Sequence, residues 1–250
     1  MNSFKLDGRV VSQETEPYII AEIGSNHNGD MDLCRRLIDA ACEAGAHAVK
    51  FQSWTENSLI AKEEYDRNTE YADKKKHFGS LKDMVKAYQF TTEQHREANA
   101  YCRKMGIAFC STPFSRAEAD MLEGLDVPFF KVASMDIVNP PLLRHIARKG
   151  RPMVISTGMA SMAEIESAVE TVKEEGNDQI VLLHCISIYP PDYEMIHLRN
   201  MAMLRQAFEV PVGFSDHSLG TSIPLAAVAL GACVIEKHFT LDKDMPGWDH

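Results

Sequence analysis

Short apolar runs alternate with longer amphipathic stretches along most of this chain. Each run has the length of a strand and is apolar throughout, as expected when both faces of a sheet are covered. Eight such strands are predicted, at residues 18–24, 48–52, 107–112, 128–134, 152–156, 180–187 and in the runs that begin at Val212 and Cys233. The alternation indicates an α/β fold built on a parallel sheet.

Helix start signals stand between these strands. Asp30 is a good N-cap, and apolar residues recur after it at helical spacing until Gly45. A Ser or Thr three residues before a Glu or Gln marks a capping box. Such pairs open further helices: Thr91 with Gln94, Ser115 with Glu118, and Ser161 with Glu164. Strand and helix therefore form one unit that repeats along the chain.

The number of repeats favours a TIM (β/α)8 barrel over an open doubly wound sheet. No G-x-G-x-x-G opens the first helix, which argues against a dinucleotide-binding fold. Residues 4–11 read as a hairpin that turns at Asp7-Gly8. We predict an N-terminal hairpin over residues 1–16 that caps the barrel, and a barrel domain over residues 17–250. Only residues 241–250 follow the eighth strand, so we expect the closing eighth helix to be absent from this chain.

Composition narrows the functional classes. The 250 residues carry a formal net charge of -10, which argues against broad binding to nucleic acid or to an anionic membrane. Six cysteines form no C-x-x-C pair and mostly sit in apolar runs, which suggests reduced core thiols and a cytoplasmic protein. The N-terminus does not resemble a signal sequence, and no apolar run is long enough to span a membrane.

One connection is much longer than the others. Residues 53–90 separate the second strand from the next capping box, and they include Lys74, Lys75 and Lys76. Connections of this length are usually functional or disordered. A solvated insertion and a segment that covers a substrate are both open at this point.

Every predicted strand ends in a polar or charged side chain. In a TIM barrel the carboxyl ends of the strands form the active site. In chain order these ends carry Glu22, Lys50 with Gln52, Ser111 with Thr112, Lys131 with Ser134, Ser156 with Thr157, Ser187 with Tyr189, Ser215 with His217, and Glu236 with His238. Polar groups near a core cost free energy unless they are paired, so this pattern indicates a functional site.

The residue types point to a chemistry. Two lysines with several hydroxyls suit a phosphate and a carboxylate. His217 and His238, with Glu236 near them, suit a divalent metal that polarises a carbonyl oxygen. Condensation of phosphoenolpyruvate with a sugar aldehyde fits both features. A Schiff-base aldolase that uses Lys50 or Lys131 is the competing mechanism.

At these residues the chain resembles the sialic acid synthase family. The motifs that carry the resemblance are residues 20–29, 49–52, 111–114, 131–134, 156–159, 189–190, 213–217 and 236–240. The family makes nine-carbon sugar acids from phosphoenolpyruvate and an N-acylated amino sugar such as N-acetylmannosamine. The resemblance implies that His217 and His238 bind Mn²⁺ or Mg²⁺.

The resemblance also implies roles for the remaining strand-end residues. Phosphoenolpyruvate would be held by Lys50, Thr112, Lys131, Ser134, Ser156, Ser187 and Ser215. The open-chain sugar and the transferring protons would be positioned by Glu22, Gln52, Phe114, Tyr189, Glu236 and Asp249. Ser187 stands where members often have Asn, and Trp248 stands where the family has Pro.

Family members continue into a closing helix and an antifreeze-like C-terminal domain, which in a homodimer reaches the partner's active site. Neither is expected in these residues, and a homodimer is expected. Two alternatives stay open beside the synthase. One is a synthase for a 6-phosphorylated sugar, for which Lys74, Lys75 and Lys76 are the obvious free cations. The other is a barrel that binds its ligands without turnover.

Overall fold

The N-terminal hairpin is present as predicted. The computed structural model describes residues 4–72, 77–247 and 250. Strands β1 (Phe4–Leu6) and β2 (Arg9–Val11) pair antiparallel. Asp7 and Gly8 join them with φ angles of 47° and 77°, the left-handed conformation that a tight two-residue turn requires.

Eight parallel strands form one sheet in the described part of the chain. Most of them match the predicted runs to within two residues. In chain order the strands after the hairpin are β3 (Tyr18–Gly24), β4 (Ala48–Ser53), β5 (Tyr71–Ala72), β6 (His77–Gly79), β7 (Ala108–Pro113), β8 (Phe130–Val132), β9 (Met153–Ser156), β10 (Ile180–Cys185), β11 (Val212–Asp216) and β12 (Val234–His238). Strands β5 and β6 do not belong to this sheet. They pair with each other in a separate antiparallel hairpin.

The order of the strands identifies the fold. The large sheet runs β7-β4-β3-β12-β11-β10-β9-β8. Its first strand in sequence, β3, therefore lies beside its last, β12, which is the neighbour relation of a nearly closed (β/α)8 barrel. The Tyr18 amide donates to the Cys233 carbonyl at 2.9 Å near the start of these strands, and the Phe239 amide donates to the Glu22 carbonyl at 2.8 Å near their end. The predicted TIM barrel is confirmed.

The helices begin where the sequence signals predict. The described residues form α1 (Met31–Glu43), α2 (Lys62–Arg67), α3 (Leu81–Tyr88), α4 (Thr92–Met105), α5 (Arg116–Gly124), α6 (Pro140–Ala147), α7 (Met162–Glu174), α8 (Asn200–Phe208) and α9 (Ser222–Ala229). Asp30 accepts from the amides of Asp32 and Leu33, which satisfies two otherwise unpaired donors at the start of α1. Thr91 and Ser161 each form a complete capping box.

The chain divides into two compact units. The first contains Met1–Ile20 and Pro128–Lys237. The Tyr18 ring meets Phe129 edge-on there, with centroids 6.0 Å apart. Strands β11 and β12 approach so closely that a Cβ at Gly213 would lie 2.4 Å from the Val234 carbonyl oxygen, so only glycine fits without a shift.

The second unit contains Ala21–Val127 and His238–His250. It includes the long connection, which is folded where the structure describes it. Trp54, Met84, Val85 and Tyr88 form a buried cluster within the connection, and Phe114 packs against it. An apolar core of its own rules out a wholly solvated insertion. Lys74, Lys75 and Lys76 lie outside the described residues.

Burial explains the state of the cysteines. All six are free thiols, and five of them are buried. Burial raises the pKa of both Cys34 and Cys233 to about 12, which keeps these thiols protonated and unreactive. The prediction that most of the cysteines lie in the core is confirmed. None of the helices in the described residues is long and apolar enough to cross a membrane.

Candidate active site

A buried lysine and a buried glutamate lie near strand ends in the first unit. Lys131 of β8 donates from Nζ to Ser156 Oγ at 2.7 Å and to the Val132 carbonyl at 3.0 Å. Its Nζ is 3.8 Å from Oε1 of Glu236 in β12, and the same oxygen accepts from Ser215 Oγ at 2.8 Å. We call Lys131, Ser156, Ser215 and Glu236 the Lys131 group.

The second unit holds a similar arrangement. Lys50 of β4 has its Nζ 3.1 Å from Glu22 Oε1 in β3 and donates to Thr112 Oγ1 of β7 at 3.3 Å. Gln52 donates from Nε2 to the same Glu22 oxygen at 2.8 Å. We call Glu22, Lys50, Gln52 and Thr112 the Lys50 group. Each group thus combines one ammonium, one carboxylate and one or two hydroxyls.

Both groups keep charges where burial is costly. Lys50 and Glu22 are 4% and 2% exposed, and Lys131 and Glu236 are 2% and 5% exposed. Well-packed apolar side chains in place of a buried ion pair are often as stable or more stable, so stability alone does not account for four such charges. Ammonium and hydroxyl donors at the ends of barrel strands suit an anionic substrate.

Ser134 lies beyond its strand rather than in it. Strand β8 ends at Val132, and Ser134 begins a short 3-10 turn that ends at Asp136. The Ser134 hydroxyl accepts from the Gly158 amide at 3.1 Å, and its oxygen lies 3.1 Å from Cys185 Sγ. The predicted strand was therefore too long at this end, because partners far along the chain hold Ser134 in a turn.

Gly158 marks a close approach in the same region. A Cβ at Gly158 would lie 2.5 Å from Cys185 Sγ and 2.8 Å from Ser187 Oγ. Ser134, Cys185 and Ser187 therefore surround the loop that follows β9. Sequence reasoning did not assign Cys185 to the site, since its position at the end of an apolar run suggested only a core thiol.

His217 follows β11 and is held on two sides. Its Nδ1 donates to the Ile186 carbonyl at 2.6 Å, and the Tyr189 ring stacks on the imidazole with centroids 4.0 Å apart. A carbonyl oxygen can only accept, so Nδ1 carries a proton, and in the neutral ring the lone pair is then on Nε2. Metal-binding histidines commonly use this arrangement, in which one ring nitrogen donates to a carbonyl.

An ion pair beside His217 escaped the sequence reasoning. Strands β11 and β12 pair in a register that places Asp216 opposite Lys237. Lys237 Nζ donates to Asp216 Oδ2 at 2.6 Å and to the Ser218 carbonyl at 2.7 Å. The sequence did contain a signal for this pair, because Asp216 directly precedes His217 and Lys237 directly precedes His238.

The remaining predicted residues are distributed as follows. Phe114 meets Trp54 edge-on at 6.1 Å between ring centroids, within the cluster of the long connection. His238 is half-buried and belongs to the second unit, whereas His217 belongs to the first. Asp249 and Trp248 lie outside the described residues. Within the described residues, His, Cys, Asp and Glu side chains form no group of three or more that could hold a metal ion.

Ser111 is a strand-end residue that turns away from Thr112. Its hydroxyl lies 2.7 Å from Ser53 Oγ, which in turn lies 2.8 Å from His95 Nε2. Successive strand residues point to opposite faces, so Ser111 joins the sheet to α4 instead of joining the Lys50 group. All three residues are buried.

A known protein family matches most of the chain. The model of the NeuB family matches residues 37–250. The chain belongs to the NeuB family. The N,N'-diacetyllegionaminic acid synthase of Legionella pneumophila is 44% identical over 241 residues, which are 93% of this chain and 66% of that protein. The N-acetylneuraminate-9-phosphate synthase of Homo sapiens is 39% identical over 244 residues, 97% of this chain and 67% of that protein.

A solved structure supports the same membership. The N-acetylneuraminic acid (sialic acid) synthetase of Leptospira borgpetersenii, crystallised with citrate, superposes with a TM-score of 0.84 at 36% identity and covers 96% of this chain and 79% of that one. The chain spans about two thirds of the length of the legionaminic acid synthase and of the human synthase. The resemblance to sialic acid synthases that the strand-end motifs suggested is confirmed at the level of the family.

Proposed function

We propose that this NeuB-family protein is an enzyme that condenses phosphoenolpyruvate with an N-acylated amino-sugar aldehyde. The products would be a nine-carbon sialic-acid-type sugar acid and phosphate. The observation that supports this most strongly is the pair of buried lysines, each bonded to a strand-end hydroxyl and each near a glutamate. Relatives named as synthases of legionaminic acid and N-acetylneuraminate 9-phosphate support the same reaction class.

The two lysine groups match the charges of phosphoenolpyruvate. This substrate carries a phosphate and a carboxylate, and lysine ammoniums with Ser and Thr hydroxyls bind both anions. On this proposal Lys50, Thr112, Lys131, Ser156 and Ser215 bind phosphoenolpyruvate. Ser134 and Ser187, which surround Gly158, add hydroxyls to the set.

The proposed reaction balances without an added oxidant or reductant. The terminal enol carbon of phosphoenolpyruvate forms a bond to the aldehyde carbon, and the aldehyde oxygen takes up a proton. Water adds to the cationic carbon that bears the phosphate, and its proton passes to a carboxylate. The bond from that carbon to the phosphate oxygen then breaks, the hydroxyl supplied by water passes its proton to the departing phosphate, and a keto acid is left. Glu22 and Glu236 are the buried carboxylates proposed to hold these protons.

His217 and His238 are proposed to bind Mn²⁺ or Mg²⁺. His217 suits this role, because the Ile186 carbonyl fixes its Nδ1–H, and the neutral ring then presents Nε2 as the metal-binding nitrogen. When bound, the cation would polarise the carbonyl oxygen of the sugar. Tyr189 orients the His217 ring by stacking on it.

The contacts of the two lysines argue against the Schiff-base aldolase, whereas a 6-phosphorylated sugar substrate stays open. Imine-forming lysines are typically desolvated without a counter-charge or lie next to another cation. Lys50 and Lys131 each lie near a carboxylate, at 3.1 and 3.8 Å, which favours anion binding over the aldolase. A 6-phosphorylated sugar keeps support from the relative named N-acetylneuraminate-9-phosphate synthase.

Phosphate release in the presence of different sugars tests the proposal. The chain is incubated with phosphoenolpyruvate, Mn²⁺ and one of three sugars: N-acetylmannosamine, its 6-phosphate or a 2,4-diacetamido hexose. Release that depends on a sugar supports the synthase, and the preferred sugar identifies the substrate. Release from none of them supports a barrel that binds without turnover. A borohydride-trapped adduct on Lys50 or Lys131 would instead support the aldolase.

A further inference from the structure

The turn that carries His217 is fixed by an ion pair that the proposed reaction does not use. Lys237 Nζ donates to Asp216 Oδ2 at 2.6 Å and to the Ser218 carbonyl at 2.7 Å. The other carboxylate oxygen, Asp216 Oδ1, accepts from the Ser218 amide at 2.9 Å. Lys237 thus binds the residues on both sides of His217, and we call this arrangement the Lys237 clamp.

The clamp acts on the backbone, while other contacts act on the ring. The Ile186 carbonyl fixes Nδ1 of His217, and Tyr189 covers one ring face. The clamp adds a side-chain hold on the backbone on both sides of residue 217, because Lys237 lies in the neighbouring strand β12 at the position that pairs with Asp216.

The hydrogen bonds of Lys237 go to the protein's own groups. The side chain of Asp216 is 0% exposed and that of Lys237 is 31% exposed. Two of the three ammonium donors are bonded to Asp216 and Ser218. Lys50 and Lys131 differ from Lys237, since each donates to a strand-end hydroxyl of the groups proposed to bind substrate.

We propose that Lys237 is a positioning residue, which holds the 216–218 turn so that Nε2 of His217 points in the direction from which it binds a divalent cation. This inference rests on the proposed function of His217. It assigns Lys237 no contact with the substrate. The clamp therefore controls metal affinity and leaves the binding of phosphoenolpyruvate unchanged.

The first test is Mn²⁺ binding to the metal-free chain, measured by the electron paramagnetic resonance of free Mn²⁺. Loss of a group that orients a metal ligand typically costs 10- to 100-fold in affinity. Lys237→Met should raise the Mn²⁺ dissociation constant by about that factor, and Lys237→Arg should restore most of the loss, since it keeps the charge and the donors. Lys173→Met, on the exposed surface of α7, is the matched control and should change nothing.

A double variant separates the clamp from the cost of an unpaired charge. Lys237→Met leaves Asp216 buried without its partner, which destabilises the fold. Asp216→Asn with Lys237→Met removes that charge as well, and the Mn²⁺ affinity should stay low although thermal unfolding recovers. Wild-type Mn²⁺ affinity in a folded double variant would overturn the inference. So would an equal loss of affinity for phosphoenolpyruvate and for Mn²⁺.

A second readout does not depend on metal. The ¹⁵N spectrum of the His217 ring reports which nitrogen carries the proton, and the wild type should show protonated Nδ1. The folded double variant should show exchange between the two tautomers, because a displaced backbone moves Nδ1 away from the Ile186 carbonyl. A wild type without Mn²⁺ affinity would contradict the metal proposal alone, and the ring spectrum would still decide the clamp. A spectrum unchanged in the double variant would refute it.

Discussion

Removal of the Lys131 ammonium should separate substrate binding from folding. Lys131→Met deletes the donor to Ser156 and leaves Glu236, 5% exposed, without the cation 3.8 Å away. An unpaired buried charge costs about 3–5 kcal/mol of unfolding free energy. A charge-assisted hydrogen bond to the substrate is worth about 1.5–3 kcal/mol, so the dissociation constant of phosphoenolpyruvate should rise about 10- to 150-fold.

Glu236→Gln in the same chain removes the unpaired charge. In the double variant the unfolding free energy should recover most of the loss, whereas affinity for phosphoenolpyruvate should stay low. Urea denaturation measures the first quantity, and titration calorimetry at a temperature where both variants are folded measures the second. Lys173→Met is again the control. Wild-type affinity for phosphoenolpyruvate in the folded double variant would refute the anion-binding role of Lys131.

Three further predictions concern other parts of the molecule. Burial lowers the pKa of His27 from 6.5 to about 3, so the unfolded chain binds this proton first as the pH falls, and the unfolding free energy should drop by about 1.4 kcal/mol per pH unit between pH 6.5 and 3. Gly213→Ala should cost about 1–3 kcal/mol in urea denaturation, because the new Cβ would meet the Val234 carbonyl at 2.4 Å. A chelator should abolish phosphate release, and added Mn²⁺ should restore it.

Each has its own control. His27→Gln should flatten the acid limb of the stability profile relative to the wild-type chain, and a slope equal to that of the wild type would contradict the assignment. Gly124→Ala, at a helical position with open space around it, should not destabilise, and a loss equal to that of Gly213→Ala would remove the steric argument. Turnover that persists in chelator would contradict a metal role.

Local signals were enough to predict most of the barrel. The Asp7-Gly8 turn, the Asp30 cap and the capping box at Thr91 are set by residues within a few positions of each other, and all three are present. Each barrel strand could also be predicted from its own residues alone, because a strand that is buried on both faces is apolar along its length. Lys50 and Lys131 could be assigned to the candidate site for the same reason, as each stands near the end of such a strand.

The rest depends on partners distant in sequence. Ser134 leaves its strand because it bonds to Gly158 and contacts Cys185. The fold of the long connection depends on the packing of Trp54 against Met84 and Tyr88 of α3, which lie far from it along the chain. The sequence did not show that Ser111 and Thr112 have different roles, because the partners of Ser111, Ser53 and His95, lie far from it along the chain. The metal, the homodimer and the role of Asp249 stay predictions.

The most direct test of the proposed reaction follows the bridging oxygen of phosphoenolpyruvate. The substrate is labelled with ¹⁸O between carbon and phosphorus, and the phosphate released with the preferred sugar is examined by ³¹P NMR. Attack by the enol carbon, followed by addition of water to the neighbouring carbon, breaks the carbon–oxygen bond, so the label should leave with the phosphate. Label retained in the keto acid would mean that the phosphorus–oxygen bond breaks and would contradict the proposed mechanism.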